Sequence, residues 1–411
     1  MNKKSLKIIL AAVCLTVVAI LLLPVIFGSI SGDEISTDEE AVVPVEPVEP
    51  ESIDISILCA GDVMAHLTQI EAALQSDGTY DFTENYTYIK DYISSADVAI
   101  CNVETTFGGT PYTGYPAFSA PDELAACLAN VGFDVVCTAN NHMLDRGKDG
   151  LVRTREHLEA KGFEVTGSIV TTDQPRYAMY QAKGVDIAVI GYTYQTPTSN
   201  RVVAINGSQI SSELAQHINS FGYEYIDEEL AKINGTVEAA RAAGADLVIM
   251  FYHWGEEYQL ASNQWQQYMA EKTVETMDID VIFGSHPHVL QEMVTLTSPN
   301  GRQIPVYYSL GNLVSNQRTE TLDIPNDKYT EQGALAVVEF SVTLETGEKE
   351  LTKVDVIPTW VDRYKVDGKF HYNIIPLDDN LQSNEVFAVS GHLDRAVDAL
   401  EEANGLLRNT Q

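Results

Sequence analysis

The chain has 411 residues, 45% of them hydrophobic and 20% charged, a globular composition with room for one large domain or two ordinary ones. Its 25 basic and 59 acidic side chains leave a formal charge of -34, which repels nucleic-acid phosphates and anionic lipid headgroups and excludes a nucleic-acid partner. Five cysteines (Cys14, Cys59, Cys101, Cys127 and Cys137) show neither a CxxC pair nor the spacing of a zinc knuckle or disulfide framework. A bridge between two of the last four stays open.

Residues 8–27 are almost wholly apolar, and about 20 helical residues match the ~30 Å hydrocarbon core of a bilayer. Lys3, Lys4 and Lys7 precede them, so the positive-inside rule keeps residues 1–7 cytoplasmic and puts the chain beyond residue 27 outside the cell membrane. The expectation is a single-pass transmembrane anchor with an extracellular domain; a cleaved signal peptide is the alternative. Residues 28–52 turn abruptly to Asp, Glu, Pro and Val, and proline with like charge makes this an extended, semi-rigid linker.

From residue 53 onward, short β-branched apolar runs alternate with amphipathic stretches, the pattern of a sheet covered by helices. Strands are expected at 53–60, 98–101, 135–138, 187–190, 247–252, 281–283 and 306–309, and helices at 121–130, 151–161, 228–243 and 264–277. Runs 334–342 and 351–357 follow one another without a helix, as an antiparallel pair would. The domain is expected to span 53–360. A C-terminal extension, 361–411, carries a closing helix at 385–407.

Polar residues gather just past these strands: Gly61-Asp62, Asn102-Val103-Glu104, Asn140-Asn141-His142, His253-Trp254-Gly255 and Ser285-His286-Pro287-His288. Ligand sites of α/β sheets form beyond the carboxyl ends of strands, so these residues can share one crevice. Imidazole and carboxylate donors suit Mn, Zn or Fe, and a carboxylate between two cations offsets their repulsion. Such a pair polarises a phosphoryl oxygen and acidifies water, leaving a nearby histidine to protonate the leaving group.

The segments Gly61-Asp62-Val63-Met64, Asn102-Val103-Glu104, Asn140-Asn141-His142 with Asp145, His253-Trp254-Gly255-Glu256, His286-Pro287-His288 and Ser309-Leu310-Gly311-Asn312 resemble, in order, the CapA-type poly-γ-glutamate capsule biosynthesis proteins. Those are similar to calcineurin-like metallophosphoesterases. The resemblance implies a four-layer α/β/β/α sandwich with mixed sheets and two divalent metal ions. Asp62 and His288 would bind one ion, Glu104 would bridge, and Asn141, His253 and His286 would bind the second. His142 would be the general acid, oriented by Asp145; His66, Asn102 and Asn312 are further candidates for metal or substrate contact.

Two departures stand out. Met64 occupies the place of the histidine in the wider Asp-x-His pattern, and Glu104 replaces the usual bridging Asp, departures that imply an altered metal choice or a one-metal site and a substrate range unlike ordinary phosphatases. The resemblance implies a metal-dependent hydrolase acting on a phosphoester, amide or polymer at the cell surface, with membrane polymer-synthase components as partners. A non-catalytic assembly or export factor on the same fold is the competing reading.

Overall fold

A computed structural model describes residues 51–198 and 200–407. In chain order, β1 (Ser52–Val63), α1 (Leu67–Ala73), α2 (Lys90–Ser95), β2 (Val98–Val103), α3 (Asp122–Val131), β3 (Val135–Cys137), α4 (Gly147–Ala160) and β4 (Glu164–Thr166) come first. They are followed by β5 (Ala178–Ala182), β6 (Val185–Tyr194), α5 (Ile226–Ala242), β7 (Leu247–His253), α6 (Gln264–Thr276), β8 (Val281–Ser285), β9 (Met293–Thr297) and β10 (Gln303–Tyr307). The chain closes with β11 (Asn312–Val314), β12 (Gln332–Thr343), β13 (Glu348–Val366), β14 (Lys369–Pro376) and α7 (Leu393–Leu407).

Strands β1 to β4 are parallel to one another, while β1 also pairs antiparallel with β12, giving an eight-stranded mixed sheet in the order β14-β13-β12-β1-β2-β3-β4 with β11 beside β1. The second sheet, in the order β9-β10-β8-β7-β6-β5, has a parallel block of β6, β7, β8 and β10. Central strands buried on both faces explain the unbroken apolar runs of the sequence.

Alternation along each strand then sets the layers. Ile57, Cys59, Ile100 and Val135 of the first sheet meet Val189, Ile249, Phe251 and Phe283 of the second between the sheets. On the other face of the first sheet, Leu58, Ala99 and Cys101 pack on Ile70 of α1, Leu124 and Leu128 of α3 and Leu158 of α4. On the other face of the second, Ile190, Val248 and Met250 pack on Ile233 and Val237 of α5 and on Met269 of α6. Burying each such aliphatic side chain contributes about 1.5–3 kcal/mol, so the expected helix/sheet/sheet/helix layering is what places the strand ends together.

Two expectations shift. Position 360 falls inside β13, and Trp360, Ile375 and Leu377 share a core with Ala396 and Ala399 of α7, so residues 361–407 continue the sheet and its cover. The closing helix starts at Leu393, because the short helix before it stops at Gly391, whose φ of 73° favours a residue without a Cβ. Cys59, Cys101, Cys127 and Cys137 are buried and free. Among the described residues no helix is long and apolar enough to cross a membrane; the anchor expected at 8–27 lies outside them.

Candidate metal centre

β1 carries Asp62 into the site through a close crossing. A Cβ on Gly61 would stand 2.0 Å from the Gly311 carbonyl oxygen, which accepts the Asp62 N–H at 3.0 Å, so only glycine permits the approach. Gly284 is constrained in the same way, 2.3 Å from the Tyr308 oxygen, at the end of β8. Past it the backbone turns left-handed at His286 (φ 100°) and His288 (φ 57°), a strained arrangement for residues bearing a Cβ and one typical of functional sites.

The two sheets contribute opposite halves. Asp62, Glu104, Asn141 and His142 come from the ends of β1, β2 and β3; His253, His286 and His288 come from the ends of β7 and β8. Glu104 Oε1 lies 3.6 Å from His253 Nε2 and 3.8 Å from His288 Nε2, while His288 Nδ1 is 3.2 Å from Asp62 Oδ2. His253 Nε2 is 2.8 Å from Asn141 Oδ1. Two overlapping donor groups result, Glu104-His286-His288 and Asp62-Glu104-His253, each with ligand atoms within 4.8 Å of one another.

Glu104 is fully buried, and neither of its carboxylate oxygens has a hydrogen-bond partner; His286 Nδ1 is equally bare. Buried polar atoms left without partners are costly, and three at one point are what a cation would satisfy. The residues therefore fit a divalent ion. Burial, reinforced by the Asp62 charge, pushes the Glu104 carboxyl well above its ordinary range. Burial and neighbouring imidazoles hold His253 and His286 well below theirs. Burial also opposes charge on His288, but the hydrogen bond and charge of Asp62 prevail and raise it.

His142 is held differently. Its Nδ1 donates to Asp145 Oδ2 at 2.8 Å, the same oxygen that accepts the Phe118 N–H at 2.7 Å, and its Nε2 makes no hydrogen bond among the described residues. The carboxylate fixes the tautomer and would stabilise an imidazolium.

The family pattern of the bacterial capsule synthesis protein PGA_cap matches residues 56–317, more than half of the chain and all of these residues. The chain belongs to the PGA_cap family. It is 27% identical over 281 residues to the capsule biosynthesis protein CapA of Bacillus anthracis, covering 68% of this chain and 63% of that one. It is 28% identical over 237 residues to the PGA biosynthesis protein CapA of Bacillus subtilis strain 168, covering 57% and 54%. The chain thus spans less than two thirds of the length of either relative. Similar solved structures include a novel phosphatase of Mycoplasma pneumoniae (TM-score 0.41, 12% identity, 75% of this chain and 94% of that one) and the calcineurin-like phosphoesterase YfkN from Bacillus subtilis (TM-score 0.37, 15% identity, 86% and 100%).

Within this PGA_cap site, Asp62, Glu104, Asn141, His253, His286 and His288 come together, with His142 and Asp145 alongside. Asn102 and Asn312 are spent on positioning. Asn102 Nδ2 donates to Asp62 Oδ1 at 2.7 Å, and its Oδ1 accepts from Asn140 at 3.1 Å. Asn312 Oδ1 accepts from His288 Nδ1 at 3.0 Å while its Nδ2 donates to the Thr330 carbonyl at 2.9 Å. His66 belongs to neither donor group. Sequence reasoning missed Tyr194, whose ring lies 4.6 Å from that of His286, and gave no role to Ser285, whose Oγ is 2.9 Å from His253 Nδ1. Ser285 was visible as the residue before His286. Tyr194 was hidden because β6 runs past the apolar stretch through Gly191-Tyr192-Thr193-Tyr194.

Proposed function

We propose that this chain is a metal-dependent hydrolase of cell-surface polymer biosynthesis. In this reading residues 8–27 anchor it in the cell membrane as a single-pass protein, with its N-terminus cytoplasmic and its site outside. The observation that carries the proposal is Glu104, a buried carboxylate with two unpartnered oxygens between the imidazoles of His253 and His288. Asp62, Glu104 and His288 would hold one ion and Asn141, His253 and His286 a second sharing Glu104, with Mn, Zn or Fe suited to the donors. When bound, these ions supply Lewis acidity toward a substrate oxygen and toward water.

The remaining work falls to the chain's own groups. His142 presents Nε2 to the cleft and delivers a proton to the departing atom, the oxygen of a phosphoester or the nitrogen of an amide, while Asp145 holds the charge that His142 carries beforehand. Asn102 and Asn312 keep Asp62 and His288 aimed. Tyr194 lies tilted against His286 and roughly parallel to His253, its ring 6.4 Å away, and shields the imidazoles from bulk water. The capsule role of the relatives supports a surface polymer, joined by phosphoester or amide bonds, as the proposed substrate class, and membrane polymer-synthase components as partners belong to the same proposal.

The test uses the full-length chain in detergent, with bound metal measured and a phosphodiester and a γ-linked amide offered as substrates. His253→Ala is expected to lose metal; His142→Ala is expected to keep it and lose at least about 100-fold in rate. Wild-type protein that binds no divalent metal would overturn the proposal. Metal bound without turnover on either substrate would favour an assembly or export factor.

A further inference from the structure

The surroundings of His66 separate it from the metal ligands. His66 caps α1, where its backbone N–H donates to Gln69 Oε1 at 2.8 Å and Gln69 Nε2 donates to the Met64 carbonyl at 3.1 Å. The imidazole Nδ1 then has two neighbours at 3.2 Å: the backbone N–H of Asn316, directed at it, and Gln69 Oε1. A peptide N–H can only donate, so toward Asn316 the ring must accept, and Nδ1 carries no proton.

The rival arrangement has Nδ1–H donating to Gln69. It would strand the Asn316 N–H of a buried residue, which has no other acceptor among the described residues, at a cost of about 1–3 kcal/mol. Gln69 Oε1 keeps the His66 N–H as its donor in the first arrangement and faces the Nδ1 lone pair at 3.2 Å, a smaller penalty than a buried N–H with no acceptor. The ring proton therefore sits on Nε2, which makes no hydrogen bond to the described protein. Desolvation pushes the imidazole down to about 4, so the ring stays neutral.

Its position supplies the rest. Phe118 stands edge-on to both His66, at 5.1 Å between ring centres, and His142, at 4.7 Å. The two histidines thus flank one aromatic ring at the rim of the site, in opposite tautomers: His142 donates from Nδ1 to Asp145, and His66 accepts at Nδ1.

We infer that His66 is a standing Nε2–H donor to an anionic oxygen of the bound substrate and ligates no metal. The inference rests on the proposed function of the site and deepens it: the substrate carries an oxygen, phosphoryl or carbonyl-derived, that bears negative charge during reaction. A neutral donor locked in one tautomer holds that oxygen and leaves proton delivery to His142.

The test has two arms. Selective 15N-histidine NMR of the metal-free full-length protein, with His66→Ala to assign the signal, reads the tautomer without any turnover. The proton is expected on Nε2, and a proton on Nδ1 overturns the inference. In the second arm, inorganic phosphate binding and phosphodiester turnover are compared in metal-loaded wild type, His66→Ala and His66→Gln. His66→Ala is expected to keep its metal, bind phosphate more weakly and lose about 100-fold in kcat, as for one lost oxyanion donor. His66→Gln, which retains a donor at the same reach, recovers most of the loss. Metal lost by His66→Ala, phosphate binding equal in the two proteins, or no phosphate binding by wild type each overturn it. Absence of metal from wild type instead removes the proposed function and leaves the NMR arm to decide the tautomer.

Discussion

Asn102 and Asp62 are register partners on the neighbouring parallel strands β2 and β1, and the Asn102 amide donates to Asp62 Oδ1 at 2.7 Å. One carboxylate oxygen is thereby fixed by the sheet itself, and the other, Oδ2, turns to His288. Asn102→Leu should leave the fold intact and lower metal affinity about 10–100-fold, as loss of a supporting hydrogen bond to a ligand does. Competition with a coloured chelator measures it, and unchanged affinity would show that Asp62 needs no such support.

Asp145 should act on the rate through His142, beside its bond to the Phe118 N–H. With the carboxylate replaced in Asp145→Asn, His142 loses the partner of its protonated form, and the rate should fall by about 100-fold at unchanged metal content. The alkaline limb of the pH–rate profile should move to lower pH, a shift that a purely structural role for Asp145 would not produce.

Stripped of metal, the site should weaken the fold in a pH-dependent way. Glu104 is raised in the native state, so above the ordinary 4.5 the unfolded chain releases a proton that the folded chain keeps, and stability falls as pH rises. At pH 7 with chelator, Glu104→Gln should melt higher than wild type by about 2 °C or more, and added metal should reverse the order. His253 and His286 act in the opposite sense. Their native values lie below the ordinary 6.5, so the unfolded chain binds protons that the fold refuses, and chelated Glu104→Gln should lose stability as pH drops below 6.5. Calorimetry across this range checks both signs.

Far from the metal centre, Asp280 is a structural counterpart. It is buried, and it meets Arg241 at 2.7 Å, Lys349 at 2.8 Å and Arg302, tying β13 of one sheet to β8 of the other. Asp280→Ala leaves Lys349 without a carboxylate partner, while Arg241 and Arg302 keep Asp278, and should cost about 3–5 kcal/mol in denaturant unfolding, with metal binding unaffected in the folded fraction.

Most strand positions were readable because a strand buried on both faces must be apolar throughout, as in 247–252 and 281–283, and those runs lie within β7 and β8. The length of β13 was not readable. Its first half, Glu348 to Asp355, is mostly charged with only Leu351 and Val354 apolar and half-exposed, and Pro358 interrupts the pattern, so the run at 351–357 showed only its middle. The ligand residues were legible as polar types at strand ends. Whether an asparagine binds a metal or steadies a ligand depends on which neighbours its amide meets, and for Asn102 and Asn312 those neighbours come from other segments. Truncation after Trp360 would remove β14 and α7 and should yield insoluble protein, which expression of residues 1–360 tests directly.

Because Asp62, Glu104 and Asn141 hang from one sheet and His253, His286 and His288 from the other, any cation seated among them would act as a clasp across the sandwich. The apolar seam between the sheets stops at these strand ends, where neither oxygen of Glu104 has a hydrogen-bond partner. Occupancy would therefore change how readily the two halves part at that edge, and amide exchange at the last residues of β1, β2, β7 and β8 would slow together when the clasp is closed.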